Sequence, residues 1–132
     1  MNNLAAARMA SKETAVNQQL ILDWQGYVLE STDTIFETRK LHHRPVEEWS
    51  YFFSSLMPTL HTLKLESPEI IFPRIVSITN FLDGFYYCSF MRAEWGDNDH
   101  VLVWNIIDYS EQSSKIQALQ QANNENLLIK NN

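Results

Sequence analysis

HVLVWNIIDYSE, residues 100–111, is the stretch on which the fold turns. Its first ten residues are mostly β-branched and aromatic, the composition of a core strand. The strand runs out in the polar tripeptide Asp108-Tyr109-Ser110 and passes directly into a helix. Ser110 is a suitable N-cap, and Glu111 sits where the helix dipole favours negative charge. The rest of the chain reads as material that supports this strand or carries something through it.

The chain has 132 residues, 45% hydrophobic and 12% aromatic, enough for one domain with a real core. Its net charge of -6 argues against nucleic acid or an anionic membrane as partner, since both need concentrated Lys and Arg. Cys88 is the single cysteine, so an internal disulfide and a cysteine-built zinc site are excluded, and a cytoplasmic location is expected. No apolar run approaches the length of a membrane span, so no membrane insertion is expected of this segment. The start of the chain lacks the basic residues and apolar block of a secretory signal. The ending LLIKNN suggests a fragment of a longer protein.

Residues 1–18 read as a surface helix or a flexible segment. QLILDWQGYVLES, residues 19–31, places two short β-prone runs around Gly26, predicting a hairpin with strands at about 19–23 and 27–31. Ser31 to Thr34 supply caps for a short helix through Arg39, and Pro45 ends the polar linker that follows. Residues 46–64 carry Trp49, Phe53, Leu56 and Leu60 at helical spacing, with Pro58 expected to kink or split the helix. Pro73 within the β-prone run 69–78 points to a sheet edge. Residues 85–95 and 100–109 are predicted strands around the turn Gly96-Asp97-Asn98-Asp99. Five strands, with helices gathered between the second and third, predict an α+β domain over residues 19–110. Residues 111–132 read as a helix that pairs with another copy, with Ile116, or Leu119, Ala122 and Ile129, as seam positions and Asn126 at the seam in both registers.

LILDWQGYVLESTDTIF (20–36), LDGFYYCSFMRAEW (82–95) and VLVWNIIDYSE (101–111) together resemble the PAS sensory domain, of the bacterial signalling type with a C-terminal signalling helix. Asp108-Tyr109-Ser110 stands where that family has an Asp-x-Thr signature, with serine keeping the hydroxyl. The resemblance spans residues 18–132 and implies a five-stranded antiparallel sheet of order 2-1-5-4-3, helices on one face, and flanking N- and C-terminal helices. It implies a pocket lined by Tyr86, Cys88 and Phe90 on the fourth strand and by Leu102, Trp104 and Ile106 on the fifth. These six side chains equally suit a closed core. It further implies signal transmission through Asp108 and Ser110, a homodimer, and a downstream output domain such as a nucleotide cyclase or histidine kinase.

A cofactor is not specified by these residues. His61 on the long helix is the one candidate haem ligand, but an ordinary helix histidine is the simpler reading. Cys88 lies on a strand, outside any motif for a covalent flavin, and suits a small core side chain. Adjacent His42 and His43 lack further ligands at metal spacing. No phosphate loop or Ser-His-Asp spacing is present, so a non-enzymatic sensor is expected. A small cyclase- or isomerase-like α+β enzyme and a purely structural dimerisation module are the alternatives.

Overall fold

The computed structural model describes residues 16–112, 118–119 and 121–122. Residues 16–108 form one compact unit, and the described residues from Tyr109 onward belong to a second. The first unit holds β1 (Val16–Asp23), β2 (Val28–Ser31), two helices, β3 (Ile70–Thr79), β4 (Leu82–Trp95) and β5 (Asn98–Asp108). The strands form one antiparallel sheet in the order β2-β1-β5-β4-β3. The strand that ends in Asp108 is therefore central; β1 pairs with it along its whole length and β4 from Tyr86 to Trp95.

Turn chemistry sets the registers. Asp23 ends β1, and its Oδ1 accepts hydrogen bonds from the backbone N–H groups of Gln25 (3.0 Å) and Tyr27 (2.9 Å). Such an Asx arrangement closes the β1–β2 turn, and Gly26 supplies the positive φ of 90° that the turn requires. The β4–β5 hairpin closes around Gly96 and Asp97, with Trp95 paired to Asn98. Pro73 lies on β3, an edge strand, where its missing N–H disturbs only one ladder. The β3–β4 register shifts between Phe72 and Ile75, on either side of that proline.

One face of the sheet builds the core. Leu20 and Leu22 of β1, Tyr86, Cys88 and Phe90 of β4, and Leu102, Trp104 and Ile106 of β5 alternate into it and are almost completely buried. Val46, Trp49, Phe53 and Leu60 cover them from the helical segment between β2 and β3. No described helix is long and apolar enough to cross a membrane.

The helical region differs from the sequence expectation in two places. No helix forms over 33–39; a single turn of 3-10 helix at Arg39–Leu41 takes its place. The reason is Gln18, which points inward from β1 and is buried. Its Oε1 accepts from the backbone N–H groups of Ile35 (2.8 Å) and Phe36 (2.9 Å), and its Nε2 donates to Ser31 Oγ and to the Phe36 carbonyl. A side chain from another strand thus takes the donors that a helix would have used.

The long helix is split, but at Ser50 and not at Pro58. Short α1 (Val46–Trp49) ends where Ser50 turns extended, with φ -141° and ψ 103°, and α2 (Tyr51–Leu60) begins. Ser50 Oγ donates to the Ile78 carbonyl at 2.5 Å and accepts from the Phe53 N–H at 3.1 Å, so one hydroxyl caps α2 and ties it to β3. Pro58 falls in the last turn of α2, where its missing N–H costs a single bond two residues before the helix ends.

The remaining differences lie at the ends. β1 starts at Val16, because its pairing with β5 extends to Val16 opposite Asp108. Residues 16–18 are strand, and the rest of the expected N-terminal helix lies outside the described residues. Residues 110–112, 118–119 and 121–122 are helical, with Leu119 and Ala122 exposed; Ile116, Asn126 and Ile129 lie outside the described residues.

Gln18→Leu tests the account of the loop. It leaves the Ile35 and Phe36 N–H groups buried without an acceptor and is expected to cost about 2–4 kcal/mol in urea unfolding. A loss under about 0.5 kcal/mol, the size of an ordinary surface change, would show that Gln18 does not hold the loop.

Candidate functional site

Tyr86, Cys88, Phe90, Leu102, Trp104 and Ile106 lie together in one core cluster. Antiparallel register explains the grouping, since Cys88 pairs with Ile106 and Phe90 with Trp104 on the inward face. Phe90 and Trp104 stack, with ring centroids 5.3 Å apart and planes 22° apart. From α2, Phe53 approaches Trp104 at 5.7 Å and Phe52 at 6.2 Å. Phe72 of β3 closes the group against Phe90 and, edge-on, against Phe52. Aromatic pairs at these separations add about 0.5–1.5 kcal/mol each beyond their buried area.

Two polar atoms are carried into this apolar layer. The Cys88 thiol is fully buried, and burial pushes its pKa up to about 12 although the neighbouring Trp104 indole favours the thiolate. The cysteine is therefore a neutral, small core side chain. Trp104 Nε1 is buried and has no hydrogen-bond partner of normal geometry. The Cys88 sulfur beside it is its hydrogen-bond acceptor, and thiol sulfur is a weak one. Tyr86 closes the cluster toward the end of β5. Burial raises its phenol pKa, and the charges of Asp108 and Asp83 raise it further. Its hydroxyl reaches the Asp83 carbonyl at 3.4 Å.

Asp108 is the last residue of β5, opposite Val16 on one side and Tyr86 on the other. It is half-buried, and the helical residues begin two positions later at Ser110. Asp108 also acts electrostatically on Tyr86, which belongs to the aromatic layer.

His61 and His100 are engaged elsewhere. His61 caps the end of α2 on the exterior, stacks on Trp24 at 5.1 Å, and its Nε2 lies 2.7 Å from the Trp24 carbonyl. Among the described residues its hydrogen-bond and ring partner is Trp24. Arg92 lies over the Trp24 ring at 5.1 Å, and His100 meets its edge at 5.3 Å. His100 in turn pairs with Asp99 at 2.7 Å in the exposed β4–β5 hairpin. No cluster of three or more potential metal ligands occurs among the described residues.

One polar chain escaped the sequence reading. Thr38 Oγ1 donates to Asp33 Oδ1 at 2.8 Å and lies 3.0 Å from His42 Nε2. The residue types are those of a hydrolytic triad, but the order is wrong. The hydroxyl is buried and its one proton points at the carboxylate, so it is not a nucleophile. The chain instead holds the 32–38 loop, including Asp33 in its left-handed conformation of φ 50°. Only the spacing Asp-x4-Thr-x3-His marks it in sequence, and nothing local distinguishes that spacing from chance.

In comparisons with known proteins, no family model matches this chain and no curated sequence is significantly similar to it.

Burial alone would raise the Asp33 carboxyl, but hydrogen bonds from Ser31 and Thr38 and the charge of His42 outweigh it, and the pKa is lowered. A lowered carboxylate stabilises the fold above its unfolded pKa, and that contribution fades as pH falls through the folded value. Asp33→Asn keeps a residue tolerant of positive φ while removing the charge. Wild type is expected to be more stable than Asp33→Asn at neutral pH, with the gap closing below about pH 4. A gap that persists unchanged in acid would contradict the assignment.

Proposed function

We propose that this chain is a PAS-like sensory and interaction domain, which receives a small ligand or a partner and relays the change through the helix that follows Ser110. The observation that carries this reading is the sheet order β2-β1-β5-β4-β3, with all helical segments of the compact unit inserted between β2 and β3. That order makes the exit strand the central one. A displacement on either side of the sheet then reaches Asp108 through direct ladder neighbours. Asp108 faces Tyr86 across the β4–β5 pair, and its charge adds to burial in raising the Tyr86 phenol pKa.

In this reading the relay works as a pair of helix arrangements of different stability, and the domain acts as a homodimer joined to an output domain such as a histidine kinase or nucleotide cyclase. Couplings of this kind amount to about 1–3 kcal/mol, or about 5–150-fold in output. The chain itself is not an enzyme in this reading: the Asp33–Thr38–His42 chain has a buried, committed hydroxyl, and among the described residues His61 bonds to the Trp24 carbonyl. A structural dimerisation module is the second reading, favoured by the dense ring packing of the core.

Asp108→Ala in the chain fused after residue 132 to a histidine kinase core distinguishes relay from scaffold. Unfolding stability is expected to stay within about 1 kcal/mol of wild type, while autophosphorylation changes at least about fivefold. Unchanged autophosphorylation in a folded variant would refute transmission through Asp108.

A further inference from the structure

The helical cover is tied to the sheet at two turns that lie at opposite ends of β5. The β1–β2 turn follows Asp23, which pairs with Val101 near the start of β5. The β3–β4 turn lies between Thr79 and Leu82, beyond the pairing of Tyr86 with Asp108 at the end of β5. α2 is fastened to both.

At its start, three bonds join the break at Trp49–Tyr51 to the β3–β4 turn. The Asn80 N–H donates to the Trp49 carbonyl at 3.0 Å, and Asn80 Oδ1 accepts from the Tyr51 N–H at 2.9 Å. Ser50 Oγ donates to the Ile78 carbonyl. At its end, His61 Nε2 donates to the Trp24 carbonyl at 2.7 Å, and the imidazole stacks on the Trp24 ring. α1 reaches the same turn, where the Val46 N–H donates to the Gly26 carbonyl at 2.8 Å.

We propose that α2 is a strut between the β1–β2 turn and the β3–β4 turn, which delivers a displacement at the exposed Trp24 end to the end of the sheet that carries Asp108. This coupling goes beyond the sensory reading and does not depend on it.

A strut must be stiff and held at both ends. α2 has ten residues, about 15 Å of helix. Phe53 and Leu60 on its inner side are completely buried in the core cluster, so the helix moves only by moving close-packed neighbours. The bonds at its ends go to turn backbone and are directional. The receiving turn is itself braced, by the two N–H groups on Asp23 Oδ1 and by Gly26 in the left-handed region. The edge of the sheet is a poorer carrier. The β3–β4 ladder shifts register three times between Phe72 and Thr79, and each shift loosens the pairing locally. α2 passes over those interruptions.

The Trp24 end is open to contact from outside, because His61, Asp99 and His100 are exposed there. Arg92 lies over the Trp24 ring and donates to the Asp99 and Leu63 carbonyls. One indole thus gathers groups from β4, β5 and the end of α2. A partner pressing on this surface loads the strut directly.

A double-mutant cycle on the full chain tests the coupling. Asn80→Ala removes the acceptor of the Tyr51 N–H, and His61→Ala removes the bond and the stack at Trp24. Both residues are exposed, and both variants are expected to fold. Independent sites this far apart combine to within about twofold in the unfolding equilibrium constant. The double variant is expected to fall short of the product of the single losses by more than about twofold, because freeing either end leaves the other bond nothing to transmit. Losses that multiply to within about twofold overturn the proposal. NMR of the 15N-labelled chain gives a second readout. Asn80→Ala is expected to shift the Trp24 indole and Gly26 amide signals, whereas Val76→Ala, at an exposed position on β3, is not. Signals that stay in place in Asn80→Ala, or that move as far in Val76→Ala, overturn it as well. Autophosphorylation of the kinase fusion reads the relay separately.

Discussion

The stack of Phe90 on Trp104 is the contact on which the rest of this domain depends. The two residues are cross-strand partners on the inward face of the sheet, and α2 is set down on them through Phe53 and Phe52. Burial of each large aromatic contributes on the order of 2–3 kcal/mol from its area alone. The stack also fixes register, because a one-residue slip between β4 and β5 would turn Trp104 outward and replace it with a neighbour of the opposite parity. Hairpin, sheet order and helix placement all follow from keeping that pair in the core.

Around the stack, a few polar side chains do the positioning that apolar packing cannot. Gln18 fixes the loop after β2, Ser50 fixes the start of α2 against β3, and Asp33 with Thr38 and His42 fixes the left-handed bend between them. Each is a directional constraint on backbone, and the first two are fully buried. Trp104 Nε1 differs: it is a donor in the same interior whose acceptor is the weak Cys88 sulfur.

The sequence exposed what is periodic or chemically local. Alternate positions counted back from Asp108 under the PAS resemblance set Leu102, Trp104 and Ile106 on one face, and all three are fully buried. Pro73 indicated an edge strand, and β3 lies at the edge. Five antiparallel strands in the order 2-1-5-4-3 were expected from the resemblance of three segments, and the sheet has that order. What stayed hidden depends on partners far along the chain. The non-helical loop at 33–38 answers to Gln18, whose bond to Phe36 spans 18 residues. The break at Ser50 answers to the Ile78 carbonyl, 28 residues away. In a local window Pro58 was the stronger breaker, but near a helix end it has almost nothing to break. The candidate site was legible as a set of inward positions, whereas the pairing of the Trp104 indole with the Cys88 thiol becomes visible only when every neighbour is in place.

The relay account ties the central strand to the helix that follows it and requires that helix to pair with a second copy. Native mass spectrometry of the full chain and of the chain ending at Ser110 is the most direct measurement. The account predicts a dimer for the full chain and a monomer after truncation. A monomer in both would contradict it.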